Sequence, residues 1–337
     1  MLKLIKNYLK KKYYERLHHH LNVEISAMCN YDCKICGFQE FYQPKGLMTM
    51  ETFMKLEETF KKVDSVIFGF NAETFMNPQV VEMLKFAKRA NPNLCVSILT
   101  NGSLLTPKLS EQLILNGLDD LSISIDAALP ETYKKLRRHS FEKIVQNIQE
   151  LNQLKEKHNS RLPMLSTNFV AIKDNIHELL AFIDLAKELK IGSVRLTNVE
   201  PYTREVQDAI LYGDNYTDEV KQIIEKANEK CKSLGIIFSY PEFKKDENAR
   251  CEFMQPIVDW QGNVIPCSQF SYTRDTLYYG KKAYHLLIVM GNINEKSFKE
   301  IWDGRAYRKF RKDVVKGKGP EFCYNYCLLR EKVLCPK

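Results

Sequence analysis

Cys29-Asn30-Tyr31-Asp32-Cys33-Lys34-Ile35-Cys36 is the stretch that decides how this chain is read. It follows a short β-rich run at residues 23–26, so it is expected on a loop at the C-terminal end of a first strand. In α/β sheets and barrels that face carries the chemistry. Three thiolates on one short loop suit three irons of a four-iron cluster and leave the fourth iron without a protein ligand. An iron with an open position can bind and reduce a substrate, whereas a fully ligated cluster only passes electrons. Zinc is the competing reading. Structural zinc takes four ligands in tight pairs, and no fourth cysteine lies close, although His18, His19 and His20 are nearby.

The 337 residues, 44% hydrophobic and 27% charged, exclude a disordered or low-complexity chain and suffice for a full core without disulfide staples. No apolar run reaches the roughly 18–20 residues of a membrane span. The N-terminus, Met1-Leu2-Lys3-Leu4-Ile5-Lys6, lacks the features of a signal peptide, so a cytoplasmic protein is expected. In a reducing compartment ten cysteines point to ligands or catalysts rather than disulfides. Besides the first cluster, Cys251, Cys267, Cys323, Cys327 and Cys335 gather in the last quarter. Cys95 and Cys231 stand alone and read as small buried apolar residues. The net charge of +8 is largely local: Lys3, Lys6, Lys10, Lys11, Lys12 and Arg16 face Glu15 alone in the first 20 residues. That is a basic segment on a near-neutral body, and no nucleic-acid partner is expected.

From residue 23 to about 200, apolar runs alternate with amphipathic ones. Strands are expected at 23–26, 65–70, 94–99, 121–125, 164–172 and 193–199, with helical patterns between them at 50–63, 77–89, 106–116, 130–157 and 176–190. Such alternation implies a parallel sheet with right-handed crossovers. Six units are too few for the closed eight-stranded barrel, so an open partial barrel or a doubly wound sheet is expected. Residues 201–250 read as a connecting helical region, with a helix at 216–234 and a short strand at 235–239. Gln261-Gly262 reads as a hairpin turn, and residues 297–315 as a helix.

The Cys29, Cys33, Cys36 spacing resembles the signature of the radical S-adenosylmethionine (SAM) superfamily, and other segments match in order. Val66-Ile67-Phe68-Gly69-Phe70-Asn71-Ala72-Glu73-Thr74, followed by Asn77-Pro78, resembles that family's second-strand motif, with Asn71-Ala72 where Gly-Gly is usual and Thr74 where proline is usual. Thr100-Asn101-Gly102 resembles the end of its third strand, and Ser122-Ile123-Ser124-Ile125-Asp126 its fourth. Tyr133-Lys134-Lys135-Leu136-Arg137 resembles the helix whose arginine pairs with the SAM carboxylate. The resemblance implies an α/β partial (βα)6 barrel over residues 23–200, with SAM contacts at Glu73, Asn101, Ser124, Asp126, Arg137 and Asn168. It further implies a [4Fe-4S] cluster on Cys29, Cys33 and Cys36, reductive cleavage of SAM, and hydrogen abstraction from a substrate by a 5′-deoxyadenosyl radical.

Cys251, Gly262 and Cys267, followed by Gly291-Asn292-Ile293, Glu300-Ile301-Trp302, Arg311, Cys323 and Cys327, resemble the auxiliary-cluster domains called SPASM and twitch. The resemblance implies a small C-terminal domain at 251–337 whose Cys251, Cys267, Cys323 and Cys327 ligate one auxiliary [4Fe-4S] cluster. Cys335 competes with Cys327 because the Cys-x-x-x-Cys spacing is unusual. Zinc on the same four thiolates is the alternative.

The expected function is net oxidation of a small-molecule or sugar-like substrate, with the auxiliary cluster as electron acceptor and flavodoxin or ferredoxin as reducing partner. A peptide or protein maturase is the second enzymatic reading, and a non-catalytic iron–sulfur or zinc protein the reading from another class. Leu2, Ile5, Leu9 and Tyr13 lie at helical spacing among lysines. This basic segment, 1–22, is expected to pack on the barrel rather than lie on a membrane surface.

Overall fold

The computed structural model describes residues 19–41, 43–241, 255–278, 281–321, 323 and 333–334. Seven parallel strands follow one another across a sheet in chain order: β1 (His20–Val23), β2 (Ser65–Phe68), β3 (Cys95–Thr100), β4 (Asp120–Ser124), β5 (Met164–Ala171), β6 (Ser193–Asn198) and β7 (Ile237–Pro241). The crossovers contain α1 (Met50–Met54) and α2 (Glu57–Phe60), α3 (Val80–Ala90), α4 (Pro107–Leu115), α5 (Pro130–Arg137) and α6 (Phe141–Lys157), α7 (Leu179–Glu188), and α8 (Arg204–Asp208) with α9 (Asp218–Leu234). These are six βα units, and the stretch expected as a connection supplies both α9 and a seventh strand in register with β6.

Three expected helices are interrupted, each for a local reason. Residues 50–63 divide at Lys55-Leu56. Residues 130–157 divide where Arg138 turns left-handed at φ 61° and Ser140 caps the next helix by accepting from the Lys143 N–H. Residues 297–315 divide into α10 (Phe298–Trp302) and α11 (Arg305–Val315) at Gly304. A Cβ at Gly304 would meet the carbonyl oxygens of Ile301 and Glu300 at 3.0 and 3.1 Å.

Register explains the layering. Leu21 and Val23 pair with Val66 and Phe68, which align in turn with Val96 and Ile98, and Ile98 with Leu121. These side chains are buried in the continuous core that also contains the helices' apolar residues. Alternation sends their neighbours, among them Asn22, Ile67, Leu99, Ser124 and Asn168, to the opposite face of the sheet.

The parallel array is an open partial barrel, extended at both edges. β8 (Ile257–Val258) pairs in parallel with β1, β9 (Asn263–Ile265) is antiparallel to β8, and β12 (Gly291–Asn292) is antiparallel to β9. β13 (Val333–Leu334) flanks β7. A separate ribbon joins β10 (Arg274–Tyr278) to β11 (Lys281–His285). The Gln261-Gly262 turn forms as expected: Gly262 takes φ 86°, and the Asp259 carboxylate accepts from the N–H groups of Gln261 and Asn263. The C-terminal part therefore continues the barrel sheet from its β1 edge. Among the described residues no helix is long and apolar enough to cross a membrane. The basic segment's residues 1–18 lie outside the described residues.

Candidate active site

The loop after β1 is clipped to the strand ends around it. Lys34 N–H donates to the Leu136 carbonyl, Tyr31 stacks on His139 with ring centroids 3.6 Å apart, and Arg138 reaches Asp32 at 3.1 Å. Asn30 donates to Ser103 Oγ and accepts from Asn101 Nδ2, both at 2.9 Å, which ties the loop to the end of β3. The loop's exit is equally constrained: a Cβ at Gly37 would fall 2.2 Å from the Tyr202 ring.

Cys29, Cys33 and Cys36 line one cleft of about 690 Å³, open to solvent, together with Glu73, Asn101, Ser124, Arg137 and Asn168. The cleft opens at the C-terminal ends of the strands. Burial raises the Cys29 and Cys33 thiols above their ordinary range, and the Tyr31 N–H at Cys29 and the Arg137 charge at Cys33 offset only part of that rise. Among the described residues no three His, Cys, Asp or Glu side chains close on a single ion.

Glu73 is almost fully buried and held by three donors. Its Oε1 accepts from Phe75 N–H at 3.0 Å and Thr100 Oγ1 at 2.8 Å, and its Oε2 accepts from Asn101 N–H at 2.6 Å. Burial raises its pKa against these bonds. A carboxylate offers about four acceptor positions, so one stays unused on a side chain that lines the cleft. Thr74 makes use of the departure from the usual proline: its hydroxyl donates to the Leu99 carbonyl at 2.5 Å. The same hydroxyl would lie 2.1 Å from a Cβ at Gly69, where φ is 100°, so position 69 requires glycine.

Asp126, expected among the cofactor contacts, is fully buried behind the cleft wall. Its Oδ1 accepts from Val170 N–H at 2.7 Å, and its carboxylate pairs with Arg137. It takes a left-handed backbone, φ 60°. Asp126 therefore orients Arg137. The guanidinium lies against Cys33, NH1 to Sγ 3.7 Å, and its buried Nε has no acceptor. Three thiols and a cation with an unused donor around one cleft fit a thiolate-held cluster and a ligand that bears a carboxylate.

Of the C-terminal ligand candidates, Cys267 and Cys323 are both buried and share one apolar cluster with Ile257, Ile265, Phe270 and Ala283. Cys251, Cys327 and the competing Cys335 lie outside the described residues.

Sequence reasoning missed a set of aromatic and charged contacts that joins the cysteine loop to the C-terminal part. Phe41 stacks on Tyr272, 4.6 Å between centroids, and Arg274 lies over the Phe41 and Tyr202 rings at 5.4 and 5.8 Å. Glu200 accepts from the Tyr202 hydroxyl and Gln269 Nε2, both at 2.6 Å, and pairs with Arg274 at 3.1 Å. The Arg274 charge, helped by these bonds, outweighs burial and holds the Glu200 carboxyl below its usual range. Apart from Glu200 and Tyr202, these partners are far apart in the chain and carry no local spacing signal.

Comparison with known proteins fits this geometry. Residues 23–186 match the family described as Radical SAM superfamily, and residues 250–328 match SPASM, an iron–sulfur cluster-binding domain. The chain is 25% identical over 301 residues to the tungsten-containing aldehyde ferredoxin oxidoreductase cofactor-modifying protein of Pyrococcus furiosus, covering 87% of this chain and 83% of that one. It is 28% identical to the AdoMet-dependent heme synthase of Methanosarcina barkeri, covering 88% and 85%. In fold it resembles SuiB of Streptococcus suis bound to S-adenosylmethionine, with TM-score 0.67, 14% identity, and 98% and 76% of the two chains covered. It also resembles anSMEcpe with bound AdoMet, with TM-score 0.64, 17% identity, and 90% and 84% covered. The chain is an enzyme of the radical SAM superfamily, with SAM and a [4Fe-4S] cluster as cofactors and a C-terminal SPASM domain for auxiliary iron–sulfur binding.

Proposed function

We propose that this enzyme oxidises a non-peptide small molecule, using Cys29, Cys33 and Cys36 for the SAM cluster and one auxiliary cluster as electron acceptor. The observation that carries the reading is the meeting of three thiols and the Arg137 guanidinium on a single cleft at the strand ends. When loaded, the cluster and SAM supply one-electron cleavage of the sulfonium and, through it, hydrogen abstraction from carbon. Arg137, aimed by Asp126, holds the SAM carboxylate. Glu73 offers its remaining acceptor position, and Ser124, Asn168 and Asn101 line the same cleft. Phe38, Phe70 and Leu99 give the cleft apolar wall segments.

The substrate class is supported by the relatives that align over most of both chains, whose names specify cofactor modification, heme synthesis and GTP cyclisation. Neighbours with peptide ligands, SuiB with its precursor peptide and anSMEcpe with the Cp18Cys peptide, share the fold at 15 and 16% identity. Flavodoxin or ferredoxin serves as the electron donor in a cytoplasmic setting. The test is anaerobic reconstitution followed by SAM turnover with a deproteinised cell extract. Extract-stimulated formation of 5′-deoxyadenosine supports the reading. Stimulation by the peptide fraction alone would replace it with the maturase reading, and zinc without SAM cleavage would overturn both.

A further inference from the structure

Just past β1, Glu24 continues the alternation of Asn22, so it faces the side of the sheet where Ser124 and Asn168 line the cleft. It is 2% exposed, yet it is a carboxyl group in the interior of a barrel. Its partner comes from the other end of the chain: the Tyr272 hydroxyl, 4% exposed, donates to Glu24 Oε1. Tyr272 shares one apolar cluster with Phe38, against which Cys29, Phe70 and Ala72 pack, and all four of these residues line the cleft. The cleft wall is thus backed by a phenol and a buried carboxyl.

We propose that Glu24 and Tyr272 are the acid–base pair of this cleft and that the substrate is an alcohol or amine, oxidised at the carbon bearing the O–H or N–H. The inference rests on the oxidative reading above. In the proton step, the substrate's O–H or N–H proton passes to Tyr272 Oη while the Tyr272 proton passes to Glu24 Oε1. One O–H or N–H bond breaks at the substrate, one O–H bond forms at Glu24, and the phenol is regenerated with no change of oxidation state. The titratable groups that act on Glu24 are Tyr272, whose hydrogen bond favours the carboxylate, and Asp259 of the β8–β9 hairpin, whose charge disfavours it. Burial prevails and pushes Glu24 up to about 8. A general acid–base group works best with a pKa near the operating pH.

The test uses the full-length, anaerobically reconstituted enzyme. Infrared titration from pH 6 to 10 should show the carbonyl stretch of a buried carboxylic acid disappearing near pH 8, absent in Glu24→Gln, and shifted to a higher midpoint in Tyr272→Phe. Addition of SAM should move that midpoint, because the phenol belongs to a cluster packed with residues that line the cleft. A purely structural pair between domains would be indifferent to SAM. Extract-stimulated 5′-deoxyadenosine formation should rise with pH through the same midpoint. It should fall on the order of a hundredfold in Glu24→Gln, the low end of what acid–base catalysis contributes. A Glu24 that is ionised throughout, a midpoint unmoved by SAM, or an unchanged pH profile in Glu24→Gln would overturn the assignment. Wild-type SAM cleavage without extract, measured in parallel, reports separately on the radical SAM reading.

Discussion

The Tyr202 ring lies directly against Gly37, the residue after Cys36, so closely that a methyl group at position 37 would come within 2.2 Å of it. The loop after β6 therefore sets the path of the loop after β1. Gly37→Ala should displace the cysteine loop and lower iron incorporation at the first site. Tyr202→Ala combined with Gly37→Ala should restore part of it by opening the space. Iron analysis of the two proteins checks this, and equal iron in Gly37→Ala and wild type would show that the loop has slack.

Arg137 lies, largely buried, between the Cys33 thiol and the Asp126 carboxylate. Asp126→Ala should leave a buried cation without its counter-charge and destabilise the fold by about 3–5 kcal/mol, read by urea unfolding. Arg137→Ala should weaken SAM binding by about 1.5–3 kcal/mol through loss of a charge-assisted pair. Unchanged SAM affinity would mean that Arg137 serves the fold alone.

Glu24 makes stability depend on pH in a defined direction. Its pKa rises from 4.5 unfolded to about 8 folded. Between those values the folded state binds the extra proton, so the contribution is full below about pH 4.5 and is lost as pH rises through about 8. Relative to Glu24→Gln, the wild type should lose up to about 1.4 kcal/mol of unfolding free energy per pH unit in that window. Parallel urea titrations at several pH values check the slope, and a difference that stays constant with pH contradicts it.

The parts of the site that were legible in the sequence are those encoded by short spacing. The cysteine loop, Glu73, Thr100-Asn101-Gly102 and Ser124 each lie at or just past a strand end, and strand ends are readable from apolar runs. Helix interruptions were less visible, although Ser140 is a capping residue and Gly304 a breaker. A local motif gives the position of Asp126 but not the left-handed turn that buries it beside Arg137. Glu24–Tyr272 and Glu200–Arg274 were invisible for a different reason. Their partners are 248 and 74 residues apart and meet only when the C-terminal strands dock beside β1.

The auxiliary site divides the cysteines into testable classes. Replacing Cys251, Cys267 or Cys323 should remove the second cluster, about four irons per chain, while SAM cleavage persists. Cys327 and Cys335 compete for the remaining position. Cys335→Ala should retain the second cluster and Cys327→Ala should lose it, and the reverse result would reassign the ligand. Unchanged iron in all five variants would leave the protein without an auxiliary cluster and remove the proposed electron acceptor.

The most direct measurement is iron content together with SAM cleavage in the wild type and in the triple variant Cys29→Ala, Cys33→Ala, Cys36→Ala. Wild-type protein, reconstituted anaerobically and reduced, should hold about eight irons per chain as two four-iron clusters and convert SAM to 5′-deoxyadenosine and methionine. The triple variant should retain about four irons and no SAM cleavage. Zinc in place of iron, or SAM cleavage that survives loss of all three thiols, would contradict the assignment of this loop as the reacting centre.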